Sequence, residues 1–365
     1  MLHVFQFVLR GGRAQLFSLY KMNFFDEEIQ TSDDVVRGTN DDATVSRLSA
    51  VNLRYFQDPF VKLFVKRPIR RSPIINRGTF IRSYAIDSIV SQFLNIPGPK
   101  KQIVALGAGF DTRYFNIKAG ILNHKGNTLS ENLATYFEVD FSEITMKKAM
   151  MIKKRKELCS LLADSDQVKI GRGGMDLLSK DYSILGGDLR NWSDIANRLM
   201  EAGLDLELPT LFISECVFIY ISPEESNTIL KWITDNMKNT MFTLYEQIKP
   251  DDAFGKMMIR NLKSRDIELK GLQAFPDLTH QEKRFKDLGW QIAKVVDINT
   301  IHDKYLERSE IMRISKLEIL DELEEWHLLS AHYCVAWAVN SIDFVQEFNS
   351  VQLQAHETIN IQQPI

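Results

Sequence analysis

Between residues 102 and 339 the chain changes period repeatedly. Short runs rich in β-branched and aromatic residues, at 102–106, 135–139, 182–185, 210–214, 240–245, 291–296 and 333–339, alternate with helical stretches. Strands separated by helices cannot close tight hairpins; they pair in parallel through crossover connections. Such strands are covered on both faces and read as continuous apolar runs. The sequence therefore predicts an α/β fold, a mostly parallel seven-stranded sheet with helices on both faces. Ligands of open α/β sheets lie beyond the carboxyl ends of the strands. The chemistry should sit in the residues that follow each run.

The flanks read differently. Segment 34–98 is predicted to be a helical lid. Asp41 or Asp42 can cap a helix through Val45, Leu48 and Val51. A basic stretch with Lys66, Arg67, Arg70 and Arg71 reads as a solvated helix end. Ile86, Ile89, Val90, Phe93 and Leu94 fall at i, i+3, i+4, i+7 and i+8, an amphipathic helix that Pro97-Gly98-Pro99 ends. Segment 250–289 reads as a helical insertion, 307–332 as one long helix, and 341–365 as a polar, loose tail. Residues 1–33 read as a tail as well. Its first 25 residues carry no acid and place Arg10, Arg13 and Lys21 among Leu, Val and Phe. That pattern resembles a weak mitochondrial presequence, or an extension upstream of a start at Met22.

Composition narrows the class. Lys plus Arg number 45 against 48 Asp plus Glu, a net charge of −3, which lacks the basic excess of a general nucleic-acid binder. Cys159, Cys216 and Cys334 form no CxxC pair, which argues against a disulfide scaffold or a structural zinc site and fits a reducing, cytoplasmic setting. No apolar run reaches membrane-spanning length.

Four strand ends carry candidate chemistry. The first run leads into Gly107-Ala108-Gly109-Phe110-Asp111-Thr112, a turn whose glycines allow close backbone approach. Thr112 stands where a dinucleotide fingerprint has its third glycine, which disfavours a nicotinamide oxidoreductase. The second run ends in Glu138-Val139-Asp140, where an acid can accept from ribose hydroxyls. The third leads into Gly187-Asp188-Leu189-Arg190, an acid beside an apolar residue, suited to adenine. The fourth ends in Ser214-Glu215-Cys216, and a Glu inside an apolar run needs a partner, either a ligand cation or a buried Arg or Lys. In order, these features suit a nucleoside joined to an amino acid, the parts of S-adenosylmethionine.

Several stretches are more distinctive still: Val36-Arg37-Gly38-Thr39-Asn40-Asp41-Asp42-Ala43, Ile75-Asn76-Arg77-Gly78-Thr79-Phe80-Ile81-Arg82, Tyr136-Phe137-Glu138-Val139-Asp140 and Glu215-Cys216-Val217-Phe218-Ile219-Tyr220. With Tyr245-Glu246-Gln247 and His332-Tyr333-Cys334, the chain over 34–339 resembles the leucine carboxyl methyltransferases, which methylate the C-terminal leucine of the catalytic subunit of protein phosphatase 2A. The resemblance implies a class I S-adenosylmethionine-dependent methyltransferase fold over 99–340. It implies a methyl ester product that regulates phosphatase holoenzyme assembly. It implies that Arg82 holds the methionyl carboxylate, Gly107 lies against the cofactor and Asp140 binds ribose. Asp188 and Leu189 then bind adenine, and Glu215 takes the methionyl amine. Arg47 is expected among the cofactor-binding residues; it stands where the family usually has Lys, and the two differ in reach and geometry.

A terminal carboxylate has a pKa near ~3.5 and is already ionised at pH 7, so no general base is expected. Arg82, Arg47 and Tyr220 are expected to position groups, with Tyr220 and Tyr245 shaping the pocket. His124, His280, His302 and His332 read as surface or core residues, and no metal is expected. The expected partner is the phosphatase subunit, with a monomeric enzyme and neither nucleic acid nor membrane. Three competitors remain: a carboxyl methyltransferase acting on a modified transfer-RNA base, an inactive cofactor-binding partner of the phosphatase, and the nicotinamide oxidoreductase.

Overall fold

Seven strands form where the seven runs place them in a computed structural model that describes residues 32–353. They are β1 (Lys101–Leu106), β2 (Leu133–Asp140), β3 (Tyr182–Gly186), β4 (Thr210–Glu215), β5 (Asn239–Gln247), β6 (Ile292–Asp297) and β7 (Tyr333–Ser341). Their spatial order is β6-β7-β5-β4-β1-β2-β3. Neighbours from β5 to β3 pair in parallel, and only β7 runs against both of its neighbours. Two three-residue strands, Lys169–Gly171 and Asp176–Leu178, add antiparallel pairs beyond β3 and bring the sheet to nine strands. They are too short to show in the sequence period.

Alternate residues of each strand face opposite sides. Ile103, Ala105, Ile213 and Tyr245 join one apolar layer, and Val104, Leu106, Phe212 and Leu244 join the other. The first layer packs against α2 (Pro73–Asn95), where Ile86, Ile89, Val90, Phe93 and Leu94 are fully buried as the periodicity requires. The second packs against helices Trp192–Glu201 and Pro223–Asn236.

Helix α1 (Ser32–Asn52) starts nine residues earlier than Asp41, with Asp33 and Asp34 in its first turn, where acids offset the helix dipole. Its buried face is Thr44, Ser46, Leu48, Ser49 and Ala50 rather than the Val45, Leu48, Val51 stripe. Hydroxyls can fill that face because Thr44 and Ser46 donate to carbonyls one turn back and Ser49 donates to Asn76.

Three other expectations need correction. Residues 66–72 form no helix end; Arg70 reaches Glu318 and Arg71 reaches Asp42. The long helix over 307–332 is two short ones, Arg308–Ser315 and Leu323–Ser330. The chain breaks between them to turn Glu318 inward, where it accepts from Tyr55, Asn76 and Arg70. Residues 341–353 are not loose: Phe348, Val351 and Leu353 are buried, with Phe348 against Phe93. The presequence and start-site expectations, and the last twelve residues of the C-terminal tail, lie outside the described residues. No helix among the described residues is long and apolar enough to cross a membrane.

Candidate active site

Strand order reverses at β1, between β2 and β4, and the crevice expected at such a point is a cavity of about 270 Å³. Strand ends line its floor and α1 lines one wall. The glycine turn comes first. Gly107 and Gly109 have φ of 60° and 53°, a region that side chains resist. A Cβ on Gly107 would overlap Val217, and one on Gly109 would overlap the Asn40 amide. Asn40 belongs to α1 and accepts from the Phe110 N–H at 2.8 Å, so this helix touches the turn directly. Beneath it, the buried Lys148 pairs with Glu138 and donates to the Asp111 carbonyl at 2.7 Å. Glu138 is therefore a support of the turn and not a solvated acid. Burial lifts its pKa to about 7 despite Lys148.

Asp140 is the acid that faces the cavity. One carboxylate oxygen accepts from Gly109 N–H at 2.6 Å and the other from Phe141 N–H at 2.7 Å. Burial raises its pKa and these two bonds oppose the rise. Next along the sheet edge, Leu189 is nearly buried and Asp188 lines the cavity. Both Asp188 oxygens accept from Arg190, which also reaches Asp33 of α1 at 2.6 Å. Asp188 thus sits in an acid–Arg–acid chain that joins α1 to this end of the sheet.

At the other end, Glu215 is held between two guanidinium groups. Arg82 Nε donates to its Oε2 at 2.5 Å, and Arg113 donates to Oε1. Burial alone would raise its pKa, but Arg113 and Arg82 outweigh it and hold it at about 2. Arg82 comes from α2 and keeps a quarter of its side chain accessible; Arg113 begins α3 (Arg113–Lys118), is 3% accessible, and also grips Asp87 and Asp111. Arg113 was not singled out from the sequence. Its signal was available: a cation leading into the apolar run Tyr114-Phe115, three residues after Phe110.

Arg47 also lines the cavity but is engaged elsewhere. Its Nε donates to Asp58 at 2.6 Å, its Nη1 donates to Ser83 at 3.0 Å, and its guanidinium lies 4.8 Å from the Phe56 ring centre. Thr112, where a dinucleotide fingerprint has glycine, donates to the same Asp58 and so ties the turn to the segment between α1 and α2.

Beyond Glu215 the chain bends at Cys216, whose φ of 56° is unusual for a side-chain-bearing residue. A short 3₁₀ turn, Phe218–Tyr220, follows and places Tyr220 on the cavity wall. Glu246 accepts from Val217 N–H within this turn, and Gly271 of the 250–289 segment donates to the Ile219 carbonyl. Ser222 and Glu225 then cap helix Pro223–Asn236 reciprocally. None of the described histidines lines the cavity.

A glycine turn, acids at successive strand ends and a paired cation and anion thus line one cavity. Residues 35–234 match the sequence profile of the leucine carboxyl methyltransferases. The chain belongs to the leucine carboxyl methyltransferase family. It is 45% identical over 314 residues to the leucine carboxyl methyltransferase 1 homolog of Arabidopsis thaliana, covering 86% of this chain and 91% of that one. It is 36% identical to leucine carboxyl methyltransferase 1 of Bos taurus, covering 84% and 90%. It is also 37% identical to tRNA wybutosine-synthesizing protein 4 of Homo sapiens, covering 82% of this chain but 43% of that protein. As a member of this family the chain is a methyltransferase of carboxyl groups that uses S-adenosylmethionine. The cavity fits that cofactor: Gly107, Asp140, Asp188 and Leu189 line it at successive strand ends, and Arg82 and Glu215 offer the charges opposite to those of a zwitterionic methionyl end.

Proposed function

We propose that this enzyme methylates the α-carboxylate of the C-terminal leucine of the protein phosphatase 2A catalytic subunit, giving a methyl ester that regulates holoenzyme assembly. The observation that carries the site assignment is the pairing of Arg82 with Glu215 at the end of β4, beside the glycine turn. When bound, S-adenosylmethionine supplies an electrophilic methyl that an ionised carboxylate attacks directly, the O–C bond forming as the C–S bond breaks and the bonding pair staying on sulfur. No proton moves, so no residue need act as a base.

The chain's own residues align and enclose. Arg82 exchanges Glu215 for the methionyl carboxylate, and Glu215 takes the ammonium while Arg113 keeps it ionised. Gly107 gives the close approach, Asp140 accepts from ribose, and Leu189 covers adenine. Asp188 accepts the adenine amine as Arg190 shifts its weight toward Asp33. Arg47, bound to Asp58, sets the shape of the wall rather than gripping a ligand. Tyr220 confines the acceptor. A site of this kind works by holding the reacting atoms in line. The proposed setting is a cytoplasmic monomer, and segments 42–71 and 250–289 are the proposed surfaces toward the phosphatase.

The match to the tRNA wybutosine-synthesizing protein favours one second reading, a carboxyl group on transfer RNA. Transfer of labelled methyl to purified phosphatase catalytic subunit and, separately, to hypomodified transfer RNA tests the two. Label in the subunit alone supports the proposal, and label in the RNA alone replaces it.

A further inference from the structure

The tyrosine of Tyr245-Glu246-Gln247 has a use that the cofactor does not claim. Along the carboxyl edge of the sheet, Asp188, Asp140, the glycine turn and Glu215 follow β3, β2, β1 and β4 in spatial order. The proposed cofactor site is then spent at β4. The next strand is β5, about 4.8 Å away, and Tyr245 stands in register with Glu215 on it.

Tyr245 is fully buried yet lines the cavity, and its hydroxyl has no hydrogen-bond partner among the described residues. A buried hydroxyl left unmade is costly and calls for an explanation. Its position is firmly set. The Cys216 N–H donates to the Tyr245 carbonyl at 2.7 Å, Tyr333 stacks behind the ring at 5.3 Å between centres, and the Arg82 guanidinium lies 4.7 Å from the ring centre. Burial, with Cys216 and Tyr333 nearby, holds the phenol well above its ordinary pKa, so it stays a donor.

We propose that the Tyr245 hydroxyl donates a hydrogen bond to the acceptor carboxylate, on the oxygen that does not attack, and so turns the other oxygen toward the methyl. The proposal rests on the carboxylate-acceptor reading above. A donor on the attacking oxygen would block its lone pairs and lower its nucleophilicity most; a donor on its partner fixes orientation at a smaller loss. Arg82 cannot serve both carboxylates equally while it holds the methionyl end, so a neutral donor one strand further on supplies what is missing.

Tyr245→Phe removes one oxygen and keeps the ring, and with it the stacking on Tyr333 and the contact with Arg82. The wild type is first shown to methylate a leucine-terminated acceptor; failure there overturns the acceptor reading itself. The variant is then compared by thermal melting, by calorimetric titration of S-adenosylmethionine, and by kcat and KM for the acceptor. The expected result is a 10- to 100-fold fall in kcat/KM for the acceptor, with cofactor affinity within about twofold of wild type and an undiminished melting temperature. Unchanged kcat/KM overturns the proposal while leaving the acceptor reading intact. Weakened cofactor binding with an unchanged acceptor KM overturns it too, and moves the hydroxyl to the methionyl carboxylate. If the variant melts early, Tyr245→3-fluorotyrosine replaces it; a stronger donor that leaves kcat/KM unchanged also overturns the proposal.

Discussion

Arg82 and Glu215 meet at 2.5 Å across two elements that are 133 residues apart in the chain, one on the lid and one at a strand end. The contact joins the lid to the sheet at the place where the methionyl end is proposed to bind. Arg113 holds the other oxygen of Glu215, so the two arginines differ in what they risk. Arg82→Ala should leave the fold intact, since Arg113 still neutralises Glu215, and should abolish most methyl transfer. Near-normal turnover in this variant contradicts its assigned place.

Arg113→Ala should behave in the opposite way. It strips partners from Asp87, Asp111 and Glu215 in a nearly sealed site. Removing one member of a buried charge network typically costs about 3–5 kcal/mol. Urea unfolding should show a loss of that order, and a change under about 1 kcal/mol contradicts the buried network.

Cofactor grip is tested at the strand ends. Asp140→Ala and Glu215→Ala should each weaken S-adenosylmethionine binding by about 1–3 kcal/mol, the usual worth of a charge-assisted bond. Asp140→Asn should also weaken it, because an amide has only one oxygen for the two N–H groups of Gly109 and Phe141. Calorimetric titration gives the numbers, and unchanged affinity in both alanine variants removes the site.

What the sequence displayed and what it hid have physical causes. The seven strands were legible because β-branched runs and intervening helices differ in period. Gly107, Asp140, Asp188, Leu189 and Glu215 were legible because strand ends are where such sheets place ligands, and all five line one cavity. Arg47 and Arg82 line it too, but nothing local showed that Arg47 is engaged by Asp58, since the two meet through chain folding. Arg113 is easily passed over because a basic residue at a helix start looks like a solvated charge, although the apolar Tyr114-Phe115 after it marks a buried helix. The break at Glu318 was hidden because its cause is tertiary: Tyr55 and Asn76 draw the carboxylate inward.

A pH dependence follows from Glu246. Burial lifts its pKa from 4.5 to about 7, against the pull of Val217 N–H and Arg284. A carboxyl whose folded pKa lies above its unfolded value binds protons more tightly when folded. Its contribution to stability therefore falls as pH rises from about 4.5 to about 7. Glu246→Gln removes that dependence and retains an oxygen for Val217. Relative to wild type, the variant should gain stability steadily between pH 5 and pH 7.5. A difference that stays flat across that range shows that Glu246 does not titrate there.

Glu215 works in the other direction. Its folded pKa of about 2 lies below the ordinary 4.5. The stability it contributes is present above about pH 4.5 and is lost as pH falls toward 2. Glu215→Gln should therefore flatten acid unfolding in that window, read by circular dichroism.

The acceptor is the central claim, and labelled methyl incorporation tests it most directly. Three forms of the phosphatase catalytic subunit are compared: intact, lacking the terminal leucine, and amidated at the terminus. Amidation removes both the charge and the nucleophilic oxygen, so label should vanish. Deletion removes the apolar side chain, whose four carbons are worth about 3 kcal/mol at ~0.8 per buried carbon, so labelling should fall at least tenfold. Strong labelling of the intact form alone is the predicted result; equal labelling of the intact and leucine-deleted forms contradicts the account.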